Sequence, residues 1–265
     1  MIVDSCLRGG GGGSPTAVLI DDGTLDHRSV AAHSKASHTA FVAPRPRADG
    51  SRAVRFFTAE RELSGCGHGT IAVRAVLGAD GERLHIGGRT VITDVSSEPS
   101  GDVVWFYPGA VIIRPAVDVA PILDALGLSF SDLKGPPVIA SVGAERLLVA
   151  LSRAADLDRL LPDHERLRGA CLEAGLLGCF AYVATGSQRA RARMFAPAIG
   201  VPEDVANANS TACLAARLGT DVAVEQGDAL GRPSLVLAQI AHSRGGIRVG
   251  GHVALRDTRG QRGLS

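Results

Sequence analysis

Ser64-Gly65-Cys66-Gly67-His68-Gly69-Thr70, followed by Ile71-Ala72-Val73-Arg74-Ala75-Val76, decides how this chain of 265 residues is read. Glycines at 65, 67 and 69 let the backbone turn tightly and approach a ligand, and the apolar run after Thr70 has helical spacing. The stretch therefore predicts a loop feeding a helix N-terminus, where free N–H groups and the positive dipole end suit a carboxylate or phosphate. Cys66 and His68 stand at the same place. Two proton-carrying groups beside an anion cradle point to a site that holds an acidic small molecule and moves its protons. The same residues also fit a glycine-rich turn with a buried Cys and a hydrogen-bonded His. What favours chemistry is a second junction of the same kind further along the chain.

Composition narrows the classes. Basic residues number 28 against 27 acidic ones, a net charge of +1, so there is no chain-wide electrostatic case for nucleic acid or an anionic membrane. Hydrophobic residues make up 45%, yet no apolar run approaches the roughly 20 residues of a membrane span. Residues 1–13 lack a secretory pattern, and five scattered cysteines fit a reducing compartment, so a cytoplasmic protein is expected. A metal site is not expected, because Cys66 and His68 have no second Cys/His pair at finger-like spacing.

Along the chain, Ile2–Leu7 and Thr16–Ile20 read as strands around the glycine run 9–13, which is either a mobile loop or a wall that admits substrate to backbone. Leu25–Ser37 reads as a helix with His27, Arg28, His33 and Lys35 outward, and His38 stands where it gives way to the strand Thr39–Val42. Strands are expected at Ala53–Thr58, Leu84–Ile86, Thr90–Thr93 and Val103–Tyr107, then a crossing over Pro108–Pro121. The second half repeats the plan: a helix over Ile122–Leu128, strands at Val138–Val142 and Arg146–Leu151, and a helix over Leu157–Ala174 with Leu157, Leu160, Leu161, Leu167 and Cys171 inward. Strands Phe180–Ala184 and Arg191–Phe195 then deliver the chain to residues 200–210 and a helix over Thr211–Leu218, with Ser210 or Asn209 as its N-cap. Ser234–Ile240, Ile247–Val249 and His252–Arg256 read as closing strands. This gives two α/β halves, 1–115 and 116–265, with the last strand free to return to the first half, and a site between them.

Gly13-Ser14-Pro15-Thr16, Ser37-His38-Thr39, Glu62 through Thr70, and Phe195-Ala196-Pro197 with Gly200 through Asp204 resemble, in order, the motifs of the PhzF family, part of the diaminopimelate epimerase and proline racemase superfamily. The resemblance runs to about Leu218. It implies two pseudosymmetric domains, each a curved, mostly antiparallel sheet wrapped around a central helix, with the active site in the cleft. It also implies a cofactor-free, usually dimeric enzyme that takes a proton from carbon with one side chain and returns one elsewhere. By motif, Asp204 falls on the family's Glu-Asp pair and His68 on its Gly-His motif. Ser14, Gly67, Gly69, Thr70, Asn207, Asn209, Ser210 and Thr211 are the expected substrate contacts.

Two positions depart from the pattern. His38 replaces the family's usual catalytic Glu, and Asn207-Ala208-Asn209 replaces a Thr-Gly-Ser motif. An unperturbed imidazole is largely neutral at pH 7 and can still carry a proton, so His38 and Asp204 are the expected pair, with His68 orienting substrate. Cys66 stands where racemases place their first thiol, while Cys213 lies too far along its helix to be the second. The expected activity is proton movement on a small carboxylate-bearing, amino-acid-derived metabolite, as in PhzF-like isomerases of antibiotic pathways that act on unsaturated proline-type rings. A binding protein without catalysis and a Cys66-dependent racemase are the alternatives.

Overall fold

The computed structural model describes residues 1–34, 36–241 and 246–256. The first half runs β1 (Ile2–Leu7), β2 (Ser14–Ile20), α1 (His27–His33), β3 (His38–Val42), β4 (Arg52–Phe57), β5 (Glu62–Leu63), α2 (Gly67–Leu77), β6 (Arg83–Ile86), β7 (Arg89–Glu98) and β8 (Gly101–Phe106). The second runs β9 (Ile112–Pro115), α3 (Ala120–Ala125), β10 (Val138–Val142), β11 (Ala144–Ala150), α4 (Ala154–Asp158), α5 (His164–Glu173), β12 (Cys179–Ala184), β13 (Arg189–Ala196), β14 (Val201–Asp204), α6 (Ala208–Leu218), β15 (Val222–Gln226), β16 (Ser234–Ala241) and β17 (Gly246–Arg256).

The two halves share one plan. In the first, β2 and β3 are parallel, β3 and β4 antiparallel, and β4 and β6 parallel; in the second, β11 and β12, β12 and β13, and β13 and β15 repeat those relations in order. Each plan sends the chain through a short strand, β5 or β14, into a central helix, α2 or α6. Around α2 the ladder closes through β1, β2, β3, β4, β6, β7, β8 and β17, because β17 bonds both β8 and β1. β17 also pairs with β16 of the second half.

A helix inside such a wrap must be apolar all round. Accordingly every α2 residue from Gly67 to Arg74 is buried, as are Ala208 and residues 210–215 of α6. Both halves share one core cluster over these helices, and a second cluster under α3 and α5 covers the outer face of β11 and β12.

Several local expectations are corrected. The first helix is α1 alone, capped by Asp26, and Lys35 lies outside the described residues. His27, expected in solvent, bonds Asp21 Oδ2 at 2.6 Å and packs its ring 4.1 Å from that of Phe41. The helix expected over Leu157–Ala174 is divided into α4 and α5, since Pro162 cannot continue a helix, and Leu161 beside it is 90% exposed rather than inward. The Pro108–Pro121 crossing contains β9, which pairs with β10. The cap of α6 is Asn207, whose Oδ1 accepts from Ser210 N at 2.9 Å, not Ser210 or Asn209.

Candidate active site

The N-termini of α2 and α6 abut. A Cβ on Gly67 would lie 2.7 Å from Ala208 Cβ and 3.3 Å from Asn209 N, so only glycine allows this approach. Two positive dipole ends thus meet at the edge of a cavity of about 400 Å³. His38, Cys66, Gly67, His68, Asp204, Asn207 and Asn209 all line it, as do Arg61, Arg89 and Arg146.

Cys66 is the N-cap of α2 yet makes no side-chain cap bond, which leaves its Sγ 3.4 Å from His68 Nε2. His68 Nδ1 lies 3.0 Å from the Ala206 carbonyl oxygen, which can only accept, so Nδ1 carries a proton and Nε2 is turned to the thiol. That bond runs from α2 to the segment before α6. Burial opposes charge on His68, but the neighbouring Cys66 and Asp204 and the bonds to Cys66 and Ala206 outweigh it and raise the pKa to about 9. His38 is the opposite case. Its ring meets that of His68 edge-on, 4.4 Å between centroids, and burial plus the neighbouring His68 push it well below 6.5. At neutral pH the pair is one imidazolium beside one neutral imidazole.

Asp204 ends β14. Its Oδ2 accepts from Asn207 Nδ2 at 2.9 Å, and its buried Oδ1 has no partner among the described residues. Asn207 is itself held by Gln226 Oε1, which accepts from its backbone N–H at 2.9 Å, while Gln226 Nε2 donates to Thr211 Oγ1 at 3.1 Å. The carboxylate is therefore fixed by a network rooted in α6.

Not every expected contact reaches the cavity. Ser14 is buried opposite Ser5 in the β1–β2 ladder, and the Gly9–Gly13 turn folds back against Pro233; neither lines it. Gly69 exists for packing, since a Cβ there would lie 2.8 Å from the Phe56 ring, and Thr70 Oγ1 donates to the Cys66 carbonyl at 2.7 Å. Ser210 Oγ turns to Met194 Sδ, and Thr211 bonds Asn207 and Gln226. These four residues shape the junctions from behind. Arg146 is the residue the sequence reading passed over, one arginine among many in a strand of ordinary alternation.

His38, distant in sequence from Cys66 and His68, joins them in the fold. In space, donor atoms of His38, Cys66 and His68 lie within 4.8 Å of one another, all buried, so these three could gather a soft cation.

Residues 8–257 match the family model described as phenazine biosynthesis-like protein, PhzC-PhzF. The chain belongs to that family. This PhzF-family chain is 31% identical to an uncharacterized isomerase of Deinococcus radiodurans, over 92% of the chain and 88% of the relative. It is 30% identical to the trans-2,3-dihydro-3-hydroxyanthranilate isomerase of Pseudomonas chlororaphis, over 90% and 89%. Among solved structures, a PhzF-family phenazine biosynthesis protein of Bacillus anthracis superposes with a TM-score of 0.80 at 18% identity, covering 95% of this chain and 94% of the other. With the family come its isomerase class and the two-domain epimerase fold. Within the PhzF plan, the place equivalent to Cys66 is the other N-cap, Asn207, and Cys213 lies in the core away from the cavity. Among the described residues, no helix is long and apolar enough to cross a membrane.

Proposed function

We propose that this chain is an acid–base isomerase that moves a proton between carbons of a small, amino-acid-derived carboxylate. What supports the reading is the meeting in one cavity of His38, Asp204 and His68, drawn from both halves of the fold, with the two imidazoles shifted in opposite directions. His38, neutral at pH 7, takes the proton from carbon, and its low basicity makes the resulting imidazolium a ready donor. Asp204, contributed to the same cavity by the second half of the fold, is the second carrier: as the acid it gives a proton to the other carbon, and the carboxylate left behind regains one from the His38 imidazolium or from solvent. His68 as a cation, together with the abutting helix starts, stabilises the dienolate that forms between the two transfers. Trans-2,3-dihydro-3-hydroxyanthranilate and unsaturated proline-type acids are the first substrates to try, the former because a relative is named for it. A homodimer in the cytoplasm, serving antibiotic-type secondary metabolism without a cofactor, completes the proposal.

Turnover in deuterium oxide tests it. Solvent deuterium is expected at a substrate carbon, read by mass spectrometry and proton NMR. Product that carries no label at any carbon counts against stepwise exchange. A ligand that raises the Tm but is recovered unchanged and unlabelled after long incubation makes the protein a binder instead.

A further inference from the structure

His38, at the start of β3, and Cys66 and His68, at the start of α2, are all buried and line one cavity. One donor atom from each lies within 4.8 Å of the other two. The set is one sulfur and two ring nitrogens. Thiol and imidazole are the donors that hold Zn²⁺ and its softer neighbours, whereas Mg²⁺ and Ca²⁺ ask for oxygen.

The spacing suits an ion of that kind. With Zn–S at about 2.3 Å and Zn–N at about 2.05 Å, the sulfur-to-nitrogen edge of a tetrahedron is about 3.5 Å. Cys66 Sγ and His68 Nε2 stand 3.4 Å apart. Two imidazoles on one zinc keep their ring centroids roughly 5 Å apart. Those of His38 and His68 are 4.4 Å apart with their planes at 80°, so seating the ion asks the rings to part slightly.

The nitrogens behind the site are occupied as a metal-bound histidine requires. His68 Nδ1 donates to the Ala206 carbonyl at 3.0 Å, which leaves Nε2 to the ion. His38 Nδ1 lies 3.0 Å from Ser37 Oγ, and that hydroxyl donates to the Pro15 carbonyl at 3.3 Å; it therefore accepts from Nδ1 and leaves the lone pair on Nε2. An outer acceptor on each imidazole fixes its tautomer and makes it a better ligand. Cys66 spends nothing on capping α2, so its sulfur is available to a metal. Three protein ligands beside a cavity leave a fourth position for water or a carboxylate.

We propose that His38, Cys66 and His68 form a three-ligand site for a thiophilic divalent cation of the zinc type, and that its occupation stops proton transfer in this cavity. Binding displaces the Cys66 thiol proton and any proton on His68 Nε2 to solvent, and the ion takes the His38 lone pair. The loss of activity rests on reading His38 as the base, whereas the binding does not.

Zinc chloride titrated into the whole chain under a phosphine reductant, against a chromophoric chelator that competes for the ion, tests the site without turnover. One equivalent per chain is expected to be withheld from the chelator. Cys66→Ser, which exchanges a single atom, and His38→Gln are each expected to weaken that binding at least about tenfold, with folding checked by circular dichroism. Cobalt(II) in place of zinc is expected to give a thiolate-to-cobalt band in the near ultraviolet that Cys66→Ser abolishes. A chain that cedes all its zinc, binding that Cys66→Ser leaves unchanged, or cobalt without a Cys66-dependent band overturns the proposal. One equivalent of zinc is also expected to slow deuterium exchange at least about tenfold, and a chelator to restore it. Exchange that runs unchanged or faster in the zinc-loaded chain overturns the proposal. The two readings fail separately. Zinc held at Cys66 with no exchange in the metal-free chain on any substrate sinks the isomerase alone, and exchange in a chain that holds no zinc at Cys66 sinks the metal site alone.

Discussion

The first half starts its central helix with Cys66 and the second with Asn207, and the two caps spend their side chains in opposite ways. Cys66 gives nothing to its helix and is left to His68, so the first junction keeps two groups that titrate. Asn207 is fully spent, capping Ser210 N with its oxygen and holding Asp204 with its nitrogen. One backbone device thus provides reactivity on one side and rigidity on the other. The difference shows why a duplicated fold can host asymmetric chemistry: the repeat fixes where helix starts meet, and the cap residue decides what each does.

The comparison is broken most severely by removing a proton carrier from either side. His38→Ala and Asp204→Asn are each expected to lower kcat by about 10²- to 10⁴-fold with the fold intact, checked by the labelling assay beside circular dichroism. Equal activity in either variant ends the assignment. Next comes the contact between the junctions. Gly67→Ala drives a methyl into Ala208 and is expected to cost about 1 to 3 kcal/mol in urea unfolding.

Asn207→Ala sharpens the rigid side. Loss of the cap is expected to cost about 1 kcal/mol, with a further loss of rate because Asp204 is released. On the reactive side Cys66→Ala has the smallest effect, under about tenfold in rate at pH 7, but it moves a pH limit. The sign follows from His68, whose pKa of about 9 stands above the unfolded value of about 6.5. Its stabilisation is whole below about pH 6.5 and is lost as pH rises through about 9. Without Cys66 that alkaline loss is expected to begin at lower pH, read from unfolding curves between pH 6 and 10. His38 acts in the other direction, its contribution being present above about pH 6.5 and lost as pH falls below.

What was legible in the sequence depended on whether the signal was local. The glycine spacing at 65, 67 and 69 announced a helix start, and the hydrophobic periods gave most strands within a few residues. The cap of α6 was misplaced because Asn207, Asn209 and Ser210 are all good caps, and Asn207 is held in place by Asp204 three residues before it and by Gln226 across space. Pro162 marked the break between α4 and α5 plainly, but a run of leucines argued for continuity. The approach of His38 to His68, and the burial of Arg146 without an ion pair among the described residues, depend on residues far apart in the chain. No pattern within one segment could show either.

β17 joins β1, β8 and β16, pairing Ile2 with Arg256 across nearly the whole chain. During synthesis, therefore, the first barrel cannot close when its own strands have emerged. β1 and β8 must wait with bare edges, open to wrong partners, until residues 246–256 leave the ribosome. The half that carries the reactive junction is completed last, so a chain that stops short of β17 never assembles the wall behind Cys66 and His68.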